Sequence, residues 1–380
     1  MSQTRSTNPF RPGSGILPPL LAGREHETAI FQGRMERTRE GQPEHTALLG
    51  DWAIGKTTLL MHWRRLQRQV GDAVVLTMAY PLTPDQFLSS LVVAIEAELA
   101  TDWSGRLDLE VGLDLGVADA RVRRPARSRD QELRATMRRL VDQRGGQDRA
   151  VVVFVDDIDL VSGPGDVLLQ LRASALELYA GDVAFALVVA ASSSLFAEVR
   201  SAHEPLVRFF QPLPLGPLDA PAAERAITGP LAETPVRFDA EVIGQIVELS
   251  GGRPYYLQKL AYHAFDAAES GRVSPTEFAG SFERAFASVS QEIFAGRWAA
   301  MSAIERQVVG VTARSTEPRP SGEIEAEAAL RGIQPPTTRQ ALRRLVAHGH
   351  VDRISDGMRG RYSVGDRLFR RYLELQTCEP

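Results

Sequence analysis

Cysteine is almost absent from the 380 residues: the single Cys378 stands two places from the end. One thiol excludes a disulfide framework, a cysteine-based zinc site and a buried thiol nucleophile, and it suits a reducing compartment. Long apolar runs are missing too. The longest, VVVFV at 151–155 and AFALVVAA at 184–191, fall far short of the roughly 18 residues that a membrane-spanning helix needs. The opening MSQTRSTNPFRPGSG holds no apolar stretch of the kind a signal peptide requires, so a soluble, cytoplasmic chain without membrane contact is expected. Lysine is as scarce as cysteine is rare. Of 44 basic side chains only Lys56 and Lys259 are lysines, so a compact ammonium is kept at two places in a chain that otherwise uses the planar guanidinium.

What is present is an ordinary globular composition, 43% hydrophobic and 24% charged, long enough for two or three domains. The net charge of −4 argues against a surface built wholly for polyanions. The average hides an asymmetry. Between 336 and 371 stand nine arginines (339, 343, 344, 353, 359, 361, 367, 370, 371) against three aspartates (352, 356, 366), a local excess of +6.

Hydrophobic periodicity orders the chain. Residues 1–22 are rich in Pro, Gly and Ser and read as an irregular arm. HTALLGD at 45–51 predicts a short buried strand, and the next segment places Leu59, Leu60, Trp63, Leu66 and Val70 on one helix face. Strands follow at 73–80, 150–157, 183–193 and 211–215, with helices at about 83–100, 130–144 and 166–179 between them. Thr83, Pro84 and Gln86 make a capping box with proline at the first helical position. This alternation means an α/β domain with a parallel sheet of five core strands. Leu107, Leu109, Val111, Leu113, Leu115 and Val117 are spaced by two and predict a β-ribbon insertion near 106–122. After Gly216 the pattern is helical to about 292. A third unit then reads helix, helix, helix and two short strands around an Asp-Gly turn, the order of a winged helix. The expected domains are therefore 1–216, 217–292 and 293–380.

Gly50-Asp51-Trp52-Ala53-Ile54-Gly55-Lys56-Thr57 fits G-x-x-x-x-G-K-[ST], after a predicted strand and opening a helix. Its glycines allow successive N–H groups to turn inward around phosphates, and the helix N-terminus adds partial positive charge. Lys56 would reach the β- and γ-phosphates, Thr57 would offer its hydroxyl to Mg²⁺, and Thr58 continues the phosphate-binding turn. Glycine-rich turns before helices also arise for structural reasons alone. Here one of only two lysines falls on the motif's invariant position. Downstream, Val151 to Val155 lead into Asp156-Asp157, two acids at the end of a buried strand that are costly unless a cation or a proton meets them. Asp156 would hold the Mg²⁺ shell and Asp157 would orient or deprotonate the attacking water.

With these motifs placed, the chain resembles the AAA+ superfamily, in the branch shared by archaeal and bacterial STAND-like ATPases and origin-recognition initiator ATPases. The resemblance also rests on Asn8-Pro9-Phe10, Gly23-Arg24-Glu25, Gly251-Gly252-Arg253-Pro254-Tyr255-Tyr256-Leu257 and the winged helix. It implies strand order 5-1-4-3-2, a helical lid over 217–292, and slow hydrolysis of ATP to ADP and phosphate in a homo-oligomer assembled across the ATP site. It implies base contacts for Pro9, Phe10, Gly23 and Arg24, and a polar sensor at Ser192 or Ser193. An arginine finger at Arg208 and a second sensor at Arg253, with Pro254 beside it, complete the set. Two departures point to a switch rather than a motor: Asp157 replaces the usual glutamate, and Arg253 stands where relatives carry His or Asn.

In the third unit Thr337, Thr338, Arg339, Arg343 and Arg344 lie on the helix that would enter a major groove, and Arg359 and Arg361 flank the wing. Double-stranded DNA is the first expected partner. In STAND-like proteins the same module docks protein, and that alternative stands beside it. The lid motif and the winged helix speak against a third possibility, a small-molecule P-loop kinase. His348 and His350 lack neighbouring ligand residues, and Phe369 and Tyr372 read as core.

Overall fold

A computed structural model describes residues 7–13, 15–70, 72–77, 82–100, 129–144, 150–179, 184–268, 271–356 and 359–377. The expected β-ribbon at 106–122 and Cys378 lie outside them. The chain divides into two units, Glu25–Gly50 with Lys56–Leu215, and Met1–Arg24 with Asp51–Gly55 and Gly216–Pro380.

The first unit is the α/β unit. In chain order it contains α1 (Glu25–Arg39), β1 (His45–Leu49), α2 (Lys56–Val70), β2 (Asp72–Thr77), α3 (Pro84–Ala100), α4 (Arg129–Arg144), β3 (Val151–Asp156), α5 (Pro164–Tyr179), β4 (Phe185–Ala191), α6 (Ser193–Ala202), α7 (Glu204–Phe209) and β5 (Phe210–Pro214). The five strands form one sheet in the order β2-β3-β4-β1-β5, every pairing parallel. This is the expected 5-1-4-3-2. Parallel strands are covered by helices on both faces, which is why β3 and β4 read as continuous apolar runs and are buried at every residue. On α2, Leu59, Leu60 and Trp63 are buried as their spacing predicts, and the Trp63 ring stacks on Phe31 at 4.6 Å. The capping box at α3 forms: Gln86 N donates to Thr83 Oγ1 at 3.3 Å, and Thr83 N donates to Gln86 Oε1 at 2.9 Å.

The second unit is mostly helical. It contains α8 (Ala220–Ala232), β6 (Arg237–Phe238), α9 (Ala240–Ser250), α10 (Pro254–Asp266), β7 (Arg272–Val273), α11 (Pro275–Val289), a π-turn at Ser290–Phe294, α12 (Ala295–Ala300), α13 (Ala303–Ala313), β8 (Arg319–Pro320), α14 (Ser321–Ala329), α15 (Pro335–Ala347), β9 (Asp352–Asp356), β10 (Arg359–Ser363) and α16 (Arg367–Thr377). Strands β8, β10 and β9 form a three-stranded antiparallel sheet in that order. One continuous apolar core runs from Phe10 through α8–α11 to α13–α16. Phe369 lies in it and Tyr372 packs against it. Serine capping boxes open α11 and α13, Ser274 with Glu277 and Ser302 with Glu305. The second lysine is explained here. Lys259 Nζ donates to Glu292 Oε1 at 2.7 Å and Ser288 Oγ at 3.1 Å, donation to two acceptors that suits a small ammonium on a nearly buried stem.

Candidate functional site

Strand β1 delivers the phosphate-loop motif. Gly50 N still donates to Ala191 O at 3.1 Å, and Leu215 N donates to Leu49 O, so the strand's end is tied to both neighbours before α2 begins at Lys56. The Lys56 ammonium turns back to Gly50 O at 2.9 Å. On the adjoining strand end, the Asp156 side chain is fully buried and its Oδ1 accepts the Asp157 N–H at 3.0 Å. Thr57 gives Asp156 a side-chain hydrogen bond. Oδ2 of Asp156 has no partner among the described residues.

Burial first, and the Asp157 charge next, push Asp156 up to about 6, against the opposing pull of Thr57 and Lys56. Burial also raises Asp157, with Lys56 working against it and Asp159 with it. Two adjacent carboxyls with too little positive charge nearby, one of them with an orphaned oxygen, are the donor set a hard divalent cation takes. Backbone strain gathers at the same motifs. Among the described residues the only non-glycines at positive φ are Ala53 (63°) and Asp157 (51°), and such left-handed residues persist where the surroundings over-determine them.

Ser192 caps α6 by accepting from Leu195 N at 3.2 Å. Its hydroxyl donates to Asp159 Oδ1 at 2.6 Å, and its N–H reaches Asp159 Oδ2 at 2.8 Å. Asp159 is the site residue that sequence reasoning missed, although its spacing within DDID placed a third acid at this strand end. Ser193 is the first residue of α6. Arg208, on the short α7, extends with 83% of its side chain exposed and pairs with Glu204 at 2.9 Å.

Residues 51–55 belong to the other unit. Arg24 is buried and its Nη2 donates to Ile54 O at 3.1 Å and Gly216 O at 2.8 Å, clamping the loop's end to the start of the helical segment. Tyr255 N donates to Ala53 O at 3.3 Å, Arg253 Nη1 donates to Trp52 O at 2.8 Å, and Arg253 Nη2 lies 3.9 Å from Asp51 Oδ2. The GGRPYY motif has local causes. Gly251 caps α9 in the left-handed region, a Cβ on Gly252 would fall 2.3 Å from Leu218 O, and Pro254 opens α10. Pro254 also flanks Gly55, whose φ is +92°. Trp52 is 56% exposed.

Two expectations need correcting. Phe10 does not present its ring to a base: it is 2% exposed, packed on Phe238 and Phe265 at centroid distances of 6.1 and 6.3 Å. Thr338 does not face a groove. It is fully buried on the inner face of α15, and its hydroxyl donates to Gln334 O. Gly23 answers a packing demand, since a Cβ there would sit 2.5 Å from that of Ala222; Pro9 is half-buried. On the outer face of α15, Arg343 and Arg344 are exposed, Thr337 is half-buried and Arg339 lies 3.9 Å from Glu325. Arg361 donates to Pro318 O at 2.9 Å. Arg359 lies in β10, its side chain outside the described set. Two more of the nine arginines pair with acids, Arg367 with Glu248 and Arg371 with Glu283.

Residues 20–183 match the family described as AAA ATPase domain. No curated protein matches the sequence. Among solved structures, the chain resembles the Walker-type ATPase of Pyrococcus abyssi with TM-score 0.70 and 16% identity over 96% of this chain and 98% of that one. The Aeropyrum pernix ORC2 protein in its ADPNP–ADP complexes gives 0.63 and 14% over 96% and 97%. The Aeropyrum pernix ORC1 protein in complex with DNA gives 0.52 and 18% over 94% of each chain. These likenesses show a P-loop AAA+ fold, a parallel sheet core with surrounding helices.

Proposed function

We propose that this chain, whose residues 20–183 carry an AAA ATPase domain, is a switch ATPase that binds ATP with Mg²⁺ and converts it slowly to ADP and phosphate. The observation that carries this reading is the cluster at the ends of β1 and β3. Lys56, Thr57, Asp156 and Asp157 converge there, and one buried carboxylate oxygen is left without a partner. Thr57 and Asp156 fit a magnesium ion, which when bound supplies charge neutralisation between the phosphates. Lys56 exchanges its bond to Gly50 O for phosphate oxygens. Asp157, held in a left-handed turn, orients the attacking water. Asp159 fixes the Ser192 hydroxyl beside it, so that the polar sensor keeps one rotamer. The shorter reach of Asp157 relative to glutamate supports low turnover.

The same reading assigns 217–292 as a lid and 293–380 as a winged helix, with the run α13, α14, α15 and the three-stranded sheet in support. Exposed Arg208 suits a finger offered to a neighbouring copy in a homo-oligomer. Double-stranded DNA is the partner we favour for the basic face, because Arg343 and Arg344 stand together and exposed on α15. A protein-docking role is favoured by a different observation, that Arg339, Arg367 and Arg371 already spend their charge on acids of this chain. The deciding experiment for the nucleotide site is calorimetric titration of ATP into wild type and Lys56→Ala. Lys56→Ala should lose tight binding while Asp157→Asn binds and does not turn over. Unchanged affinity in Lys56→Ala would refute the assignment.

A further inference from the structure

The region around Arg253 holds more charge than a nucleotide sensor needs. Its guanidinium makes one good hydrogen bond, to the Trp52 carbonyl, and otherwise lies 3.9 Å from two carboxylates, Asp51 of the phosphate loop and Asp366 just before α16. Those separations attract without a hydrogen bond. Only 16% of the Arg253 side chain is exposed, so the attraction is weakly screened.

Asp366 is itself built into the C-terminal segment. Its Oδ1 accepts the Phe369 N–H at 3.0 Å, and its Oδ2 accepts the Tyr256 hydroxyl at 2.8 Å and faces Arg297 Nη1 at 3.4 Å. Arg297 in turn covers the Phe369 ring at 3.9 Å and donates to Gly349 O and His350 Nδ1. Gly349 approaches the loop from the same side, since a Cβ on it would lie 3.5 Å from Asp51 Oδ1. Asp352 adds a third carboxylate. Its Oδ2 accepts the Gly365 N–H at 2.9 Å. Asp51 and Asp366 therefore both lie near Arg253 without a hydrogen bond to it, whereas Arg297 is hydrogen-bonded to Asp366.

We infer that Asp366 is a positioning residue which, with Asp51, holds Arg253 against the phosphate loop as a latch, so that the terminal phosphate of a bound nucleotide competes with the C-terminal segment for one guanidinium. The inference rests on the nucleotide reading above and adds its regulation. When a third phosphate draws Arg253 away, Asp366 keeps Arg297 and Tyr256 but loses its tie to the phosphate loop, and the segment from Gly349 to α16 is released. Binding at the loop and release of the segment from Gly349 to α16 are then two readings of one equilibrium.

The test is titration of a non-hydrolysable ATP analogue and of ADP into the full chain. Asp366→Asn keeps the shape and the cap of α16 while removing the competing charge. It should tighten the analogue by about 5- to 150-fold, the range of ordinary coupling between sites, and leave ADP unchanged. In an Arg253→Ala background the same substitution should have no effect on either. Asp366→Ser, which also caps a helix, should repeat the pattern and guards against an Asn variant that misfolds. Hydrogen exchange over 349–366 should rise in wild type on adding the analogue, not on adding ADP, and should not respond in Arg253→Ala. Equal shifts for both nucleotides, or a tightening that survives in Arg253→Ala, would overturn the latch alone. Wild type that binds neither nucleotide would overturn the nucleotide reading and the latch with it.

Discussion

His45 opens β1, the strand that carries the phosphate loop, and it is 3% exposed. Its two ring nitrogens have different duties. Nδ1 accepts the Leu187 N–H at 2.9 Å, so the proton of the neutral ring sits on Nε2, which donates to the Tyr179 hydroxyl. The ring also stacks on Phe209 at 4.0 Å. A second proton would have to displace the Leu187 amide from Nδ1 and bury a charge, and burial holds the pKa down to about 3 against an ordinary 6.5. Below 6.5 the unfolded chain takes up this proton and the folded chain does not, so stability is full above that pH and falls as pH drops toward 3. Each pH unit in the window costs about 1.4 kcal/mol, which gives a loss of about 2 kcal/mol between pH 7 and pH 5. His45→Asn places an amide oxygen where Nδ1 was. It should be less stable at pH 7 by roughly 1–3 kcal/mol through lost ring packing, yet lose less on acidification. The assay is hydrogen exchange of peptides from β1 and β4 at pH 5, 6 and 7, after correction for intrinsic rates, in wild type and variant. Other titrating groups act equally in both. The wild-type loss should exceed the variant's by about 2 kcal/mol, and equal pH slopes would refute a neutral, proton-refusing His45.

Asp156→Asn should raise the stability of the nucleotide-free protein at pH 8 by about 1 kcal/mol. Relief of the buried charge outweighs an unpaired amide that costs roughly 1–3 kcal/mol, and the rise in melting temperature given by ADP with Mg²⁺ should disappear. A melting temperature below wild type without ligand would contradict it. Arg208→Ala should bind ATP with wild-type affinity and show specific activity that no longer climbs with protein concentration, because a finger supplied across an interface is worth about 10³–10⁵ in rate. Wild-type activity per chain that stays flat across the assembly range would count against it. Replacing Arg343 and Arg344 together should flatten the slope of log affinity against log salt for a labelled duplex by up to about two, read by fluorescence anisotropy. No duplex binding by wild type at low salt would favour the protein-docking alternative.

The five strands, the two phosphate-site motifs and the Thr83 capping box were legible in the sequence because each is a local pattern, whereas the order of the strands was implied by the family resemblance alone. Val151 to Val155 could only be a strand buried on both faces, and Thr83-Pro84 with Gln86 could only open a helix. What escaped depends on three-dimensional neighbours. Thr338 looked like a groove contact because its helix is basic, but helical spacing places it with Ala341, Leu342 and Leu345 on the buried face, and a threonine hydroxyl can be satisfied there by the carbonyl four residues back. Phe10 sits in an arm with no periodicity, so nothing local told that its ring fills a gap between Phe238 and Phe265. The Arg253–Asp366 relation joins residues more than a hundred positions apart, and no spacing rule reaches that far.

Several of the places where local rules are broken fall among the places assigned chemistry. A left-handed alanine, a left-handed aspartate, an orphaned carboxylate oxygen and a glycine pressed onto a carbonyl all fall in the two phosphate-site motifs or the GGRPYY turn. Strain of this kind costs roughly 1–3 kcal/mol per position, and a structure free to relax would shed it by moving Ala53 or Asp157 into an ordinary backbone well. Residues keep such angles where their surroundings over-determine them. A preorganised loop has little entropy left to lose on binding phosphate. The free energy of nucleotide binding is then available for the one contact that is loosely held, Arg253, which makes that arginine the natural point at which the bound state is read.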